Sequence, residues 1–504
     1  MRLGSGLLLA LLWEYDVADA RTWRIAADGT GDAPTIQAGI DSADAGDTVA
    51  LAAGTYGWSA QGANGASMLR MTRTITLRGE SGATSTVLDA ESLGRVLQCV
   101  DVGGAVVEDL TFVNGLAAVA GAAEAELWRS TSEPPSKTAL DRSLTAGDTQ
   151  GGAIDVWGAS TPVFRRCTFR DNRASGGTAS GGAIACAQAT IEDCDFIANR
   201  AGVAGPTNGR GGAIQCQNAV IARCTFRDNV AWGYSAVSGG AVHGMSPTLT
   251  DCSFENNFIE CPGAPRGGAV RCTGAPTITG CVFRGNRVLG HYTYATGGAA
   301  EVASGTVRDC LFIDNVVECY TASGRGGALS GADLNVTRCI FVGNEAGQSR
   351  PLGPGHGGAI YAYFTSTIEQ CTFVGNRAGT AQGIAGLYLA EGGTVRACVA
   401  AHNAAGGLGL GIETWICCDL FGNATSDAPP GINGGGNFAL NPLFCSPDPV
   451  GSGDVTIRAD SPCAPGSHPV PGCASIGAGA VGCTGQPVTA KTWSQVKNAF
   501  RPGP

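Results

Sequence analysis

Residues 181 to 201 read GGAIACAQATIEDCDFIANRA, and this order of letters returns about every thirty residues. Paired glycines followed by alanine begin at eight positions spaced 28 to 31 residues apart: Gly151, Gly181, Gly211, Gly239, Gly267, Gly297, Gly326 and Gly357. The phrase C-x-F-x-x-N follows each pair, starting at Cys167, Cys194, Cys224, Cys252, Cys281, Cys310, Cys339 and Cys371. A fixed period of this length is typical of a repeat architecture, in which each repeat is one structural unit.

The pattern inside one unit indicates short strands separated by corners. An apolar residue stands three places before each cysteine, as Ile191 does before Cys194. On a straight strand these two residues would face opposite sides, so the chain must bend between them if both are buried. Cysteine and phenylalanine, two places apart, share one face. Each unit therefore predicts a strand after the glycines, a second strand ending at the apolar position, a third strand Cys-x-Phe and a turn at asparagine.

Three short strands in one unit predict one coil of a parallel β-helix, with successive coils about 4.8 Å apart. We expect an all-β, right-handed parallel β-helix of 11 to 12 coils, in which every repeated residue stacks on its own copy. The asparagines, from Asn172 to Asn376, then form a ladder of side-chain amides, and the phenylalanines stack inside. The residues before the first four cysteines, Arg166, Asp193, Arg223 and Asp251, alternate in charge and should pair between coils.

Composition and charge exclude several classes of protein. The 504 residues include 78 glycines, and no apolar run reaches the roughly 18 residues that a membrane-spanning helix needs. The net charge is −10 and the only lysines are Lys137, Lys491 and Lys497, so no basic stripe for nucleic acid is expected. Arg2, an apolar run from Leu3 to Trp13 and the small residues of 18–20 predict a secretory signal. We therefore expect a secreted or cell-surface monomer.

The departures from the repeat divide the chain into segments. The predicted segments are a signal peptide (1–20), an N-terminal cap with the first coils (21–115), an inserted loop (116–150), the repeat β-helix (151–424), a last coil with a cysteine-rich cap (425–483) and a tail that is a possible sorting signal (484–504). Thr35 to Ala43 can supply the N-terminal lid, because an open coil end is an unpaired sheet edge.

The repeat resembles a known family pattern. Between about 151 and 376, GGAI, GGAV or GGAL with FRDN, FIAN, FENN or FVGN is similar to the repeats of polymorphic outer membrane proteins. The flanks are similar to secreted right-handed β-helix proteins of the pectin-lyase-like group: TIQAGIDSADAGDTVALAAGTY (35–56) resembles their capping helix and first strand, and NPLF (441–444), SPC (461–463) and SIGAG (475–479) resemble their last coil. The resemblance implies an extracellular β-helix and, in some members, polysaccharide lyase or hydrolase activity.

The 21 cysteines have three different expected roles. Those of the repeat point inward with parallel side chains, so most should be buried free thiols. A linear column offers no tetrahedral cluster, so neither a metal nor a cofactor is expected. Cys261 and Cys319 follow the ladder asparagine by four residues, two coils apart, and a disulfide between them is predicted if a loop shifts. The cysteines of 417–483 are expected to form disulfides.

Catalytic residues are harder to recognise than binding residues. No Asp-Asp pair occurs anywhere, no lysine lies in the coils and the five histidines are scattered, so no catalytic residue is assigned. Variable segments of 8 to 12 residues separate each asparagine from the next glycine pair, and aromatic residues there suit stacking against a sugar or a protein partner. The candidate binding residues are Trp232, Tyr234, His291, Tyr292, Tyr294 and Tyr320.

Three functions follow from these features. The favoured one is a non-catalytic adhesive or structural scaffold that binds glycans or cell-surface proteins. The alternatives are a polysaccharide lyase or glycoside hydrolase of the pectin-lyase-like group, and a carbohydrate-binding passenger module of a larger surface assembly. An assay for unsaturated products on acidic polysaccharides with added calcium separates the enzyme from the other two.

Overall fold

A computed structural model shows a parallel β-solenoid of about 14 turns in residues 20–118, 149–203, 207–347, 355–379, 386–404, 413–424, 426–473 and 475–483. The predicted signal peptide, almost all of the inserted loop and the predicted tail lie outside these described residues. All strand pairs between successive turns are parallel, as in Phe196 opposite Phe226. The β-helix predicted from the repeat is thus confirmed. The 11 to 12 expected coils were too few, since the chain already forms four turns before residue 116, in which no glycine pair precedes a strand of sheet 1.

Each turn of the repeat contributes strands to five columns, which we call sheets 1 to 5 in the order met after a glycine pair. Sheet 1 follows the glycine pair, and sheet 2 ends two residues before the cysteine, one residue beyond the predicted end; together they form one 24-stranded unit. Strands of sheet 1 are Ser67–Met71, Arg95–Val100, Ile154–Trp157, Ile184–Ala185, Ile214–Gln215, Val242–Gly244, Val270–Cys272, Ala300–Arg308, Leu329–Thr337, Ile360–Ala362 and Leu387–Leu389. Ala300–Arg308 and Leu329–Thr337 run on into sheet 2.

The remaining strands of sheet 2 are Thr22–Ile25, Thr48–Leu51, Thr76–Gly79, Gly103–Glu108, Thr161–Arg165, Thr190–Glu192, Val220–Ala222, Thr248–Thr250, Thr277–Thr279, Ser366–Glu369, Gly393–Arg396, Thr414–Ile416 and Ile432–Asn433. Sheet 3 contains the Cys-x-Phe segments. Its strands are Gly54–Gly57, Thr86–Asp89, Thr111–Val113, Thr168–Arg170, Asp195–Ile197, Thr225–Arg227, Ser253–Glu255, Val282–Arg284, Leu311–Ile313, Ile340–Val342, Thr372–Val374, Val399–Ala401 and Asp419–Phe421.

Sheets 4 and 5 lie in the segments expected to be loops. Sheet 4, after the asparagine, comprises Leu116–Ala118, Arg173–Ser175, Arg200–Ala201, Val230–Trp232, Phe258–Cys261, Arg287–Gly290, Val316–Cys319, Glu345–Gly347 and Arg377–Ala378. Sheet 5, before the next glycine pair, comprises Thr149–Gln150, Thr178–Ser180, Asn208–Arg210, Ala295–Thr296, Gly324–Arg325 and Gly355–His356. Single bridges at Ser238 and Arg266 join its two halves. The backbone hydrogen bonds between stacked turns do not depend on the side chains. These strands therefore form without a residue that repeats from turn to turn.

The core is built from ladders of identical side chains. Nine phenylalanine rings from Phe112 to Phe373 stack with centroids 4.8 to 5.0 Å apart. Each fully buried ladder asparagine accepts from the amide group of the previous one, as Asn257 does from Asn229 at 3.0 Å. The residue before each cysteine has positive φ, such as Asp193 at 55°, which produces the predicted bend. Arg223 pairs with Asp193 at 2.7 Å as expected, whereas Arg166 pairs with Asp109 of the preceding turn, outside the predicted series.

Both ends of the solenoid carry additional elements. The helix Ile36–Ser42 lies where the lid was predicted, and Ile36 and Ile40 are buried in the main core. Two short helices, Trp58–Gln61 and Pro449–Ser452, and the strand pair Ile457–Arg458 with Val481–Cys483 complete the described elements. The C-terminal segment covers the outer face of sheet 3, where its Val455 joins Leu311, Ile313, Ile340 and Val342 in one apolar cluster.

The cysteines follow most of the expectations. Two disulfides, Cys417–Cys473 and Cys445–Cys483, hold the C-terminal segment, whereas Cys418 and Cys463, also expected in disulfides, are free; the repeat cysteines are buried free thiols. The predicted disulfide between Cys261 and Cys319 is wrong, since both are free thiols. Gly290 lies between them in register, so the two residues are two turns apart, farther than a disulfide spans.

Candidate ligand-binding cleft

A cleft runs along the solenoid where sheet 5 meets sheet 1. Two columns of outward side chains form its walls. The sheet 5 column contains the residue before each glycine pair: Gln150, Ser180, Arg210, Ser238, Arg266, Thr296, Arg325 and His356. The sheet 1 column contains the fourth residue after the first glycine: Asp155, Ala185, Gln215, His243, Arg271, Glu301, Ser330 and Tyr361. We call this feature the cleft.

Side chains of the two columns touch across the glycine pair, which makes the bend concave. Ser238 Oγ lies 2.9 Å from His243 Nδ1, and Thr296 donates a 2.7 Å hydrogen bond to Glu301. The glycines permit this bend. Gly239 has a φ of 64°, and a Cβ on Gly240 would lie 2.0 Å from the carbonyl oxygen of Gly268 in the next turn. The glycine pair that marks the repeat therefore also shapes the cleft.

The centre of the cleft contains one carboxylate between two arginines. Glu301 is 4% exposed, and its carboxylate lies 3.3 Å from Arg271 and 3.4 Å from Arg266. Arg271 is mostly buried, whereas the side chain of Arg266 is 49% exposed. Because two guanidinium groups share one carboxylate, this part of the cleft keeps an excess of positive charge.

His243 lies next to this cluster in the neighbouring turn. Burial, together with the positive charges of Arg210 and Arg271, lowers the pKa of His243 to about 3. The imidazole is therefore neutral at pH 7, and its Nδ1 is engaged with Ser238. A neutral ring between cationic side chains can accept a proton once an anion counteracts their charge.

The far end of the cleft is aromatic. The guanidinium of Arg325 lies 3.6 Å from the ring centre of Tyr294 and 5.1 Å from that of Tyr361. Tyr361 stacks on Tyr388 with centroids 4.8 Å apart, and burial raises the pKa of Tyr361 to about 12. His356 lies beside Tyr388 at 5.1 Å. These rings form a wall that is apolar on its faces and polar at its edges.

Several polar atoms in the cleft wall have no hydrogen-bond partner within the described residues. They are the hydroxyl of Ser330, Nε of Arg325, Nδ1 of His356 and, near the other end of the cleft, Oδ1 of Asp155; Ser330 is fully buried. Buried polar groups are nearly always paired, and those left unpaired call for a ligand, a water or an ion. Three of these four atoms lie at the aromatic end of the cleft.

The structure separates the six predicted binding residues into groups. Tyr294 joins the cleft through Arg325. His291 and Tyr320 meet edge to face at 4.8 Å, and His291 also lies 3.4 Å from Glu260. Tyr292, 65% exposed, lies 6.2 Å from His291. Trp232 ends a sheet 4 strand and Tyr234, 58% exposed, follows it. A binding role for all six stays a prediction.

The residues of the cleft were not predicted from the sequence. Among the histidines treated as scattered, His243 and His356 both lie in the cleft. A signal was present, because arginine recurs before the glycine pairs at Arg210, Arg266 and Arg325. Polar residues also occupy, in most turns, the fourth position after the first glycine of the pair. Positions whose residue varies from turn to turn are difficult to recognise as one surface when the positions beside them carry the same residue in every turn.

The described residues provide neither a metal cluster nor a membrane span. In the ranges given above, no three His, Cys, Asp or Glu side chains converge as metal ligands would. No helix among them has the length and apolar character needed to cross a bilayer.

Comparisons with known proteins identify the type of repeat. A family model described as a right handed beta helix region matches residues 136–270 and 246–407, which together exceed half of the chain. Among solved structures, the chain is similar to a mannuronic acid specific polysaccharide family 6 lyase from human gut microbiota, with 12% identity and a TM-score of 0.29. That alignment covers 69% of this chain and 86% of the lyase. No curated protein matches the chain.

Proposed function

Since the chain belongs to the right-handed β-helix family, we propose that it binds an acidic polysaccharide lengthwise in the cleft. One observation carries the proposal. Between Arg210 and Tyr361, the two columns of the cleft contain four arginines and a single carboxylate, Glu301. The whole chain, by contrast, has a net charge of −10. Positive charge is thus collected in one groove of an acidic protein.

The chemistry of the groove suits carboxylates carried on a sugar chain. A guanidinium binds a carboxylate through two parallel hydrogen bonds, and such bonds are stronger than those between neutral groups. Successive turns repeat about every 4.8 Å, so the cleft offers donors at regular intervals along an extended polymer. The partly exposed ring of Tyr388, which stacks on the buried Tyr361, supplies an apolar face for a sugar ring at the same wall.

Because the molecule as a whole is negatively charged, binding of a polyanion depends on the positive charge gathered in the cleft. A net negative protein repels a polyanion at long range, whereas a cleft lined by one sign of charge concentrates its field. We therefore expect binding that weakens as ionic strength rises, because salt screens contacts between exposed charges.

The double variant Arg210→Gln with Arg266→Gln tests this proposal. Both side chains are exposed, and Glu301 keeps its contacts with Arg271 and Thr296. We expect the affinity for polygalacturonate or alginate oligosaccharides to fall by about 10- to 100-fold, as two charge-assisted contacts are lost. Isothermal titration calorimetry at low and physiological salt measures the change.

The matched control is Arg170→Gln with Arg227→Gln, which removes the same charge from the outer face of sheet 3. This variant should bind acidic oligosaccharides within about twofold of the unmodified protein. Equal losses in both double variants would mean that only net charge matters, and the cleft would not be the binding site.

A second candidate function is cleavage of the same ligand by β-elimination, and the neutral His243 beside Arg271 favours it. An arginine that pairs with the uronate carboxylate makes the neighbouring C5 proton more acidic. The imidazole could remove that proton, after which the C4–C5 double bond forms and the C4–O bond breaks, its oxygen taking up a proton. Following ultraviolet absorbance in the oligosaccharide titrations, with calcium added, distinguishes this lyase from a binding protein.

The remaining features support an extracytoplasmic scaffold. Two disulfides are usual in oxidising compartments, and the predicted signal peptide agrees with secretion. In this proposal the exposed rings of Tyr234, Tyr292 and Tyr320 serve as a second contact for glycans or surface proteins outside the cleft.

A further inference from the structure

A separate pocket opens at the N-terminal end of the cleft. It has a volume of about 350 Å³, and Trp157, Gln150, Gln215 and Gln217 stand around its floor at Ala187. This volume lies in the range of small-molecule sites. No aspartate, glutamate, lysine, arginine or histidine lines the pocket, in contrast to the centre of the cleft.

Trp157 forms a fixed platform on one side of the pocket. Its side chain is 55% exposed, and its indole N–H donates a 2.5 Å hydrogen bond to Asp155. Asp155 is itself 2% exposed and lies 3.7 Å from Arg95, which also donates to the carbonyl of Gln150. The polar edge of the indole is therefore engaged inside the protein, while much of the ring stays open to solvent. An exposed aromatic side chain anchored in this way is a binding feature that folding does not require.

Small side chains create the depth of the pocket. Ala185 lies between Asp155 and Gln215 in the register of sheet 1, and Ala187 takes the place in its turn that Trp157 takes in the previous one. The turn with two alanines is thus recessed between a turn with a tryptophan and a turn with two glutamines. The recess is thus formed by the small side chains of a single turn.

We propose that this pocket binds an uncharged pyranose unit of the polysaccharide. This inference rests on the proposed function, because it makes the ligand of the cleft a mixed chain with acidic and neutral sugars. The apolar C–H face of a pyranose can stack on Trp157, and the three glutamine amides can donate to and accept from its hydroxyl groups. A uronate would find no cation in the pocket.

The pocket and the charged centre are continuous along the axis. Gln215, which lines the pocket, pairs with His243 in the next turn of sheet 1, and His243 pairs in turn with Arg271. One extended chain can thus place a neutral unit on Trp157 and acidic units beside Arg266 and Arg271, four turns further on. The order of the two surfaces gives the ligand a defined direction.

Methyl glycosides of glucose, galactose and mannose provide a direct probe, measured by saturation-transfer NMR on the full chain. We expect the protein to bind at least one of them, and Trp157→Ala or Ala187→Leu to weaken that binding about tenfold or more. Phe364→Ala, which removes another exposed ring, should have no effect. The affinity of Trp157→Ala for a pure oligouronate should stay within about twofold of that of the unmodified protein.

The two proposals fail in different ways. If no neutral glycoside binds, or if Trp157→Ala leaves its binding unchanged, the pocket is not a sugar site even when oligouronates bind in the cleft. An equal loss of neutral and acidic ligands in Trp157→Ala would also overturn the inference. Binding of neutral glycosides without binding of any oligouronate would instead refute the acidic ligand and leave the pocket standing.

Discussion

Replacing Asn257 with alanine should destabilise the protein by about 4 to 6 kcal/mol, since it leaves several buried polar groups without partners. Asn257 is fully buried and takes part in four side-chain hydrogen bonds. Its oxygen accepts from the backbone and side-chain nitrogens of Asn229 at 3.1 and 3.0 Å. Its nitrogen donates to the carbonyl of Phe226 and to Asn286. The variant cannot satisfy any of these groups.

Urea unfolding followed by circular dichroism measures this loss, with Asn218→Ala as the control. Asn218 is exposed, and its replacement should change stability by less than about 0.5 kcal/mol. Since turns contact mainly their neighbours, the Asn257→Ala solenoid can also unfold in separate steps around the altered turn. Equal midpoints for the two variants would contradict the buried asparagine ladder.

Lowering the pH from 7 to 4 should cost the unmodified protein about 3 kcal/mol through His243 alone. The folded-state pKa of His243 is lowered to about 3 from the ordinary value of 6.5. Between these values the unfolded chain binds a proton at this residue and the folded chain does not. The stability contributed by the neutral His243 is therefore present above about pH 6.5 and is lost progressively as the pH falls towards 3.

His243→Gln should remove this component, so that the variant gains about 3 kcal/mol relative to the unmodified protein between pH 7 and pH 4. Urea unfolding at a series of pH values measures the difference. Asp419 acts in the opposite direction, because burial raises its pKa to about 6 and protonation stabilises the folded state there. That contribution is common to both proteins and cancels in the comparison.

The control for this experiment is Asn218→Ala, which alters an exposed residue and removes no titratable group. It should follow the pH profile of the unmodified protein. A profile for His243→Gln that runs parallel to the other two would show that the imidazole is not held neutral by burial and by Arg210 and Arg271.

The ladders of the core could be predicted because each position repeats one letter. Phe196 and Phe226 are thirty residues apart in the sequence and 4.8 Å apart between ring centres. Asparagine is needed at its corner because it spans to the turns on both sides. Because every turn needs these same hydrogen bonds, the same residue recurs in every turn, and the recurrence is visible in the sequence.

The outer surface was predictable only in part, because the residue at each outward position depends on what packs against it in that turn. In sheet 3, outward positions are polar at Arg170 and Arg227 but apolar at Leu311 and Val342, where the C-terminal segment covers them. The change of character along this column is visible in the sequence. What covers it depends on a segment more than a hundred residues away, so the lateral packing could not be derived from the repeat.

The cleft remained hidden for a related reason. Its floor depends on the glycine pairs, whose positive φ and close backbone contacts the repeat implies. Its walls depend on the residues beside them, where arginine recurs in only three turns, at Arg210, Arg266 and Arg325, and Glu301 has no copy in the other turns. The glycine pairs alone predict a tight bend. That the outer side of this bend is concave follows only from side-chain contacts across it, such as the hydrogen bond of Thr296 to Glu301.

Hydroxyl-radical footprinting of the full chain, with and without an acidic oligosaccharide, tests the cleft most directly. We predict that the ligand protects His243, Tyr294 and Tyr388, while Tyr234, Tyr292 and Tyr320 keep their rates of oxidation. Protection confined to these three loop tyrosines, with unchanged oxidation of His243, would contradict a binding site in the cleft.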